Sequence, residues 1–102
     1  MKNFWRFFPQ GKSKTESREV NLVAADMSDV MQRDAVHFAE RAISEHELEK
    51  DIAMAIKKRM DVRHNPTWQC VVGKNFGSSI SYTAMNFMYF YVGNDAILLF
   101  KS

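Results

Sequence analysis

Residues 87–101 read FMYFYV-GN-DAILLFK and contain the clearest structural pattern in the chain. Two apolar runs, Asn86–Val92 and Asp95–Lys101, flank Gly93-Asn94, and both residues of this pair tolerate the positive φ of a tight two-residue hairpin loop. The first run is apolar on both faces, so helices can cover only one of them. We therefore predict a β-hairpin whose second face needs another cover, such as a partner chain.

The residues before this hairpin predict two helices and further strands. Apolar residues recur at intervals of three and four over residues 28–46, and again over residues 48–60, which indicates two amphipathic helices. Asn65-Pro66 ends the second helix, because the residue before a proline is disfavoured in the helical region. A period of two predicts one strand before the first helix, Val20–Ala24. It predicts two more after the second helix, Thr67–Gly73 and Phe76–Tyr82. The order β-α-α-β-β-β-β predicts an α+β fold, with two helices packed on an antiparallel sheet.

Length and charge limit the possible functions. The chain has 102 residues, of which 46% are hydrophobic and 25% charged, and this is typical of one small globular domain. Its net charge of +2 is uneven, because residues 1–18 contain five basic residues and one acidic residue. The domain of residues 19–102 therefore has no basic excess with which to bind nucleic acid. A chain this short buries only about 60–65% of its unfolded surface, so we expect oligomerisation.

Residues 1–18 are predicted to be a flexible extension with an aromatic and basic head, Phe4–Pro9, and a polar linker. The single cysteine, Cys70, cannot form an internal disulfide, which favours a reducing compartment. No apolar run approaches the roughly 20 residues that cross a membrane. These features predict a cytoplasmic protein.

Residue types that support catalysis or metal binding do not form a motif in this sequence. His37, His46 and His64 are 9 and 18 residues apart, and these spacings do not match a metal site. Cys70 lies inside a strand pattern, where a small buried thiol is the expected role. The acidic series from Glu40 to Asp51 is interpreted as a solvated helix face or as helix caps. We therefore predict no catalytic residue, no metal and no cofactor.

The predicted strand Phe76–Tyr82 is rich in glycine and serine and has none of the charges that protect an exposed edge. Such an edge invites a strand from elsewhere, although a strand at the centre of a sheet could have the same composition. Tyr89 and Tyr91 share one face of the hairpin's first arm, and their hydroxyls need polar neighbours. These tyrosines suit a groove wall, whereas Phe90 and Phe100 suit the core.

Several motifs of the chain are similar to those of a known family. They are Ala25–Ser28, Glu49–Ala53, Asn65–Trp68, Asn75–Ser78, Tyr89–Tyr91 and Ala96–Ser102. In this order, and nearly without gaps, they resemble the small dimeric dynein light chains over about residues 20–102. The resemblance implies a non-catalytic, strand-exchanged homodimer, in which the strand matching Phe76–Tyr82 crosses into the partner's sheet.

The resemblance also implies a site, partners and a location on the microtubule cytoskeleton, with axonemal dynein as one option. Each of two grooves takes an extended peptide of the Thr-Gln-Thr type, from the dynein intermediate chain or another disordered segment, by β-strand addition. The implied peptide-binding positions are Glu49, Lys50, Phe76, Gly77, Ser78, Ser79, Ile80, Ser81, Tyr82, Phe87, Tyr89 and Tyr91. The implied dimer-interface positions are Gln69, Phe76, Ile80 and Tyr82. Glu49 and Lys50 would hold the glutamine of the motif.

Some positions depart from the family pattern. Gln69 replaces a histidine that is usual at the dimer interface, which argues against dissociation of this dimer by acid. Ser79, Ser81 and Tyr82 replace the usual tyrosine, threonine and histidine of the crossing strand, so we expect a shifted motif preference. An alternative function is tethering, in which the aromatic-basic head docks on an anionic membrane or a protein surface while the body only dimerises.

Overall fold

A computed structural model describes residues 7–8, 18–74 and 86–101 of the chain. Its elements, in chain order, are β1 (Phe7–Phe8), β2 (Arg18–Asp26), α1 (Asp29–Glu45), α2 (Glu49–His64), β3 (Trp68–Gly73), β4 (Phe87–Val92) and β5 (Asp95–Lys101). The strands form one antiparallel sheet in the order β1-β2-β4-β5-β3. The predicted α+β fold is confirmed, and the predicted strand Phe76–Tyr82 lies outside the described residues.

The β4–β5 hairpin lies near the centre of the sheet, and its two strands pair in register along their whole length. Of the two turn residues, only Gly93 has a positive φ, of 61°. Positive φ at the first central residue alone is typical of a type II′ turn, which matches the twist of the flanking strands. The backbone N–H of Gly93 donates to the carbonyl of Glu19 at 2.8 Å, so the turn is also linked to β2.

Both helices begin and end close to the predicted residues. The Oγ of Ser28 accepts a hydrogen bond from the backbone N–H of Met31 at 3.2 Å, which satisfies one of the free N–H groups at the start of α1. Asn65 follows the last residue of α2 and has φ 67° and ψ 145°. This conformation is outside the helical region, as expected for the residue before Pro66.

One face of the sheet packs against the two helices and forms the core. The fully buried side chains from the strands include Val20, Trp68, Met88, Phe90, Val92, Ile97 and Leu99. Those from the helices include Ala35, Val36, Ala39, Ile56 and Met60. Each large apolar side chain contributes roughly 1.5–3 kcal/mol when it is fully buried. Phe90 lies in this core as predicted, whereas Phe100 is only partly buried.

The N-terminal strands differ from the sequence prediction. β2 has nine residues and extends the predicted strand Val20–Ala24 at both ends, because its start pairs with β1 and its end pairs with β4. Its register shifts between Leu22 and Ala24, which is a β-bulge. β1, inside the predicted flexible extension, pairs with the first two residues of β2. This strand was not predicted, because Phe7-Phe8 is too short to show a period.

Hydrogen bonds attach the C-terminal end of α2 to the start of β3. Asp61 accepts from the backbone N–H of Trp68 at 2.8 Å and from Lys57 Nζ at 2.6 Å. The bond from Lys57 and then that from Trp68 lower the pKa of Asp61. Lys101 Nζ donates to the carbonyl of His64 at 3.2 Å. Helix and strand therefore lie side by side, and the start of α2 reaches the end of β3.

Candidate functional site

A groove of about 490 Å³ lies between α2 and β3, and we call it the edge groove. It is lined by Glu49, Lys50, Ala53, Met54 and Lys57 from the helix and by Gln69, Cys70, Val71 and Val72 from the strand. β3 is the last strand of the sheet, and no strand among the described residues pairs with its outer side. The edge groove thus places an open strand edge beside the start of a helix.

The helical wall of the edge groove combines charged and apolar groups. Glu49 and Lys50 lie in the first turn of α2, and both are exposed. Met54, which is 52% exposed, and Lys57 follow Lys50 at intervals of four and three residues, so they share one helix face. Met54 and Lys57 were not among the predicted site residues, although this helical spacing from Lys50 could have identified them.

The strand wall is regular and uncharged. β3 pairs with β5 in an unbroken register of six residues, without a bulge, and contains no charged residue. Val71 is 45% exposed, and Gln69 is partly buried. Burial raises the pKa of the Cys70 thiol to about 12, so this thiol stays protonated at neutral pH. A regular, uncharged strand edge is a template for pairing with another strand.

A second surface, which we call the tyrosine face, is formed by Phe87, Tyr89 and Tyr91 on β4. Because side chains alternate along a strand, these residues lie on the sheet face opposite to the core residues of β4. Tyr89 is only 5% exposed, and the other two are partly buried. The hydroxyl oxygens of Tyr89 and Tyr91 are 3.5 Å apart. Within one chain β5 separates β4 from β3, so the tyrosine face is not part of the edge groove.

The structure therefore brings together only some of the predicted site residues. Glu49, Lys50 and Gln69 line the edge groove. The three aromatic residues of β4 form the tyrosine face instead. The remaining predicted positions, all within Phe76–Tyr82, lie outside the described residues. The complete peptide site stays a prediction.

The interpretation of Glu40 as part of a solvated helix face is wrong, because the structure buries this residue. It is only 5% exposed, and burial raises the pKa of its carboxyl to about 7, although Arg18 favours the charged form. The sequence contains a signal for this burial, because Glu40 is four residues after Val36 and three before Ile43, which are both in the core.

Several histidine, arginine and acidic side chains of the described residues take part in contacts that link elements of the fold. In residues 18–74 and 86–101, no group of three or more His, Cys, Asp or Glu side chains is placed to hold a metal ion. Asp34 Oδ2 accepts from Arg63 Nε at 3.1 Å and lies 2.7 Å from His64 Nε2, so these charges link the two helices. No helix in the described ranges is long and apolar enough to cross a membrane.

The fold is that of a small α+β domain with an open strand edge among its described residues, and comparisons with known proteins give its family. The family model for dynein light chain type 1 matches residues 19–102. A dynein light chain of Schistosoma mansoni is 52% identical over 85 residues, which are 83% of this chain and 96% of that protein. The chain therefore belongs to the dynein light chain family, a non-catalytic family with a dynein-associated binding role.

Solved structures share the fold. The dynein light chain-like domain of FhCaBP2, a Fasciola hepatica calcium binding protein, has a TM-score of 0.73 at 22% identity, over 83% of this chain and 92% of that chain. The dynein light chain-like domain of CsTAL3 has a TM-score of 0.70 at 15% identity, over 81% and 92%. The family model and the Schistosoma mansoni relative confirm the family membership that the motifs indicated, and residues 1–18 lie outside the range that the family model matches.

Proposed function

We propose that this protein is a dimeric hub that captures extended peptides by β-strand addition at two edge grooves. It would act as a light chain of a dynein motor or as a dimerisation clamp for other partners, in the cytoplasm and on the microtubule cytoskeleton. The observation that carries this proposal is the open, uncharged edge of β3 beside Glu49 and Lys50, which can receive a crossing strand and so offer that strand's far edge to a peptide. Family membership supports a partner within the dynein complex.

In the proposed dimer, the strand Phe76–Tyr82 of one protomer pairs with the outer edge of β3 in the other. The guest peptide adds to the far side of that strand, beside the start of α2. The tyrosine face would adjoin the second protomer, which would cover the surface that Phe87 and Tyr91 still expose, since Tyr89 is already buried within one chain. Residues of the edge groove and of the tyrosine face, separate in one chain, would then line one peptide site from two protomers.

The start of α2 suits the side chain of a glutamine. The carboxylate of Glu49 can accept from the amide NH₂ group, and the ammonium of Lys50 can donate to the amide oxygen. Both bonds involve a charged group and are stronger than bonds between neutral groups. Leu48, at the N-cap position, forms no side-chain hydrogen bond to the helix, so the first turn of α2 has backbone N–H groups for a guest carbonyl.

The expected affinity of one groove is weak to moderate. About five or six ladder hydrogen bonds contribute roughly 0.5–1.5 kcal/mol each, and ordering of the peptide offsets part of this sum. Two motifs on a dimeric partner gain avidity, because the second motif binds at an effective concentration near millimolar. Paired motifs are therefore the expected natural ligands.

Isothermal titration with a Thr-Gln-Thr peptide tests the proposal. Lys50→Ala removes a charged hydrogen-bond partner and should weaken binding by about 1–3 kcal/mol, with little effect on the dimer. Lys58→Ala is the matched control, because it changes a lysine of the same helix outside the edge groove. Equal loss of dimer and peptide affinity in Lys50→Ala would show that Lys50 is structural.

A chain that starts at Arg18 separates this function from tethering by the N-terminal head. We expect it to bind the peptide as tightly as the full chain does, because β2 begins at Arg18 and the edge groove contains no residue before Glu49. Loss of partner binding in the shortened chain, with the fold and dimer intact, would favour the head as the binding element.

A further inference from the structure

A second groove, of about 520 Å³, lies between α1 and α2, and we call it the helical groove. Its apolar surface comes from Phe38, Ala55 and Val62, and its cationic surface from Lys58, Arg59 and Arg63. None of its lining residues is shared with the edge groove.

The residues that line the helical groove recur at helical intervals along both walls, as in surfaces that bind a helix. On α2, Ala55, Arg59 and Val62 follow one another at intervals of four and three residues. On α1, Phe38 and Glu45 are seven residues apart, so each wall is about two helical turns, or roughly 10 Å, long. Two adjacent helices offer ridges and grooves into which a third helix can pack. A guest helix would place apolar residues at i, i+3 or i+4, and i+7.

The apolar surface of the helical groove is unusually open. Val62 is 86% exposed, more than any other large apolar side chain in the described ranges. Cations near the end of α2 are explained by the helix dipole, but the dipole does not explain an exposed valine among them. Exposed apolar surface with a polar rim is typical of interaction sites.

The charged residues of the helical groove indicate which charge a binding partner would need. Arg63 pairs with a carboxylate of α1, and Glu45 pairs with Arg41, both at 3.1 Å. In contrast, Lys58 and Arg59 are exposed and form no ion pair within the described residues. The unmatched charge beside the apolar residues is therefore positive.

We propose that the helical groove binds an acidic amphipathic helix of a partner protein, with two turns of apolar side chains on Phe38 and Val62 and carboxylates facing Lys58 and Arg59. The chain's own N-terminal extension has the wrong charge for this site, because residues 1–18 contain five basic residues and one acidic residue. This interaction would leave the edge groove free, so one dimer could hold an extended peptide and a helix together.

Titration of the ¹⁵N-labelled full-length dimer by NMR tests this inference. The probe is an 18-residue helical peptide with leucine at i, i+3, i+4 and i+7 and glutamate at its other exposed positions. We expect saturable binding with shift changes confined to amides of residues 37–46 and 54–64. Arg59→Glu and Val62→Ser should each weaken binding at least tenfold. The matched control, Arg33→Glu on α1, makes the same change outside the groove and should alter affinity less than twofold.

Three results would overturn the inference. The first is equal binding of a control peptide in which every glutamate is replaced by lysine. The second is a set of shift changes on β3 instead of the helices, which would assign the peptide to the edge groove. The third is binding to vesicles with 30% phosphatidylserine, dependent on Arg59, without binding to the acidic peptide, which would identify a lipid surface as the ligand.

Discussion

The two outer edges of the sheet differ in how they meet solvent. The edge at β2 contains a bulge between Leu22 and Ala24, and its first two residues are covered by β1. The edge at β3 has six residues in unbroken register with β5, no bulge and no charge. Bulges and short covering strands are common protections against unwanted strand pairing. The edge at β2 therefore has two such protections within the chain, whereas the described residues provide neither for the edge at β3, which suits intermolecular pairing.

The largest expected effect on dimerisation comes from a negative charge introduced on the open edge of β3. Val71→Asp places a carboxylate on β3, in the groove that also contains Glu49. Desolvation of this carboxylate in a dimer interface, offset only in part by Lys50 and Lys57 of the same groove, should weaken dimerisation by about 3 kcal/mol. Val23→Asp is the matched control, because Val23 on β2 is 50% exposed and Val71 is 45% exposed. Sedimentation equilibrium should detect monomer only for Val71→Asp, and equal dissociation of both variants would contradict the comparison.

The next largest expected effect is on the stability of the protomer, where α1 meets the start of β2. Glu40, opposite Arg18 at the start of β2, has its pKa raised by burial from 4.5 to about 7. Between these two pH values the folded state holds a proton that the unfolded state has lost, so stability should fall as pH rises through this range. Glu40→Gln should remove this dependence and raise the free energy of unfolding at pH 8 by up to about 3 kcal/mol.

Urea unfolding at a fixed protein concentration, at pH 5 and at pH 8, measures the effect of Glu40→Gln. The dissociation constant of the dimer should stay unchanged, because Glu40 does not line the edge groove. Equal loss of stability with rising pH in wild type and variant would assign the pH dependence to another group.

A smaller effect is expected at Gln69, on the open edge. In Gln69→His, burial in the dimer should lower the histidine pKa below its ordinary value near 6.5. Dimer stability would then be complete above that value and would be lost as pH falls to 5, by about 1.4 kcal/mol or more. Sedimentation at both pH values compares this variant with wild type, which should remain dimeric. Dissociation of the wild type to the same extent would show that other groups control acid sensitivity.

Local signals predicted most of the fold. The β4–β5 hairpin and both helix ends depend on neighbours along the chain, such as Gly93-Asn94, Ser28 and Asn65-Pro66, so a sequence pattern shows them directly. The full length of β2 was not predicted, because its first two residues are stabilised by pairing with β1 and its last two by pairing with β4, rather than by their own composition.

The candidate site was predictable in part. Lys50 and Gln69 were assigned through the family resemblance, and the structure places both in the edge groove. The burial of Glu40 and the exposure of Val62 follow from how α1 and α2 pack together, and composition alone does not determine that packing. The sequence also could not show that the tyrosine face and the edge groove are separate surfaces of one protomer.

The sheet topology also constrains the order of folding during synthesis. β2 pairs with β4, and the paired residues Asp26 and Phe87 are more than 60 positions apart. At roughly 5–20 residues per second, a ribosome needs several seconds to make the intervening chain. Until residues 87–101 emerge, β2 and both helices have no central strands to pack against. Nascent chains of this domain should therefore show late, all-or-none protection from protease, and their apolar helix faces should be chaperone substrates until that point.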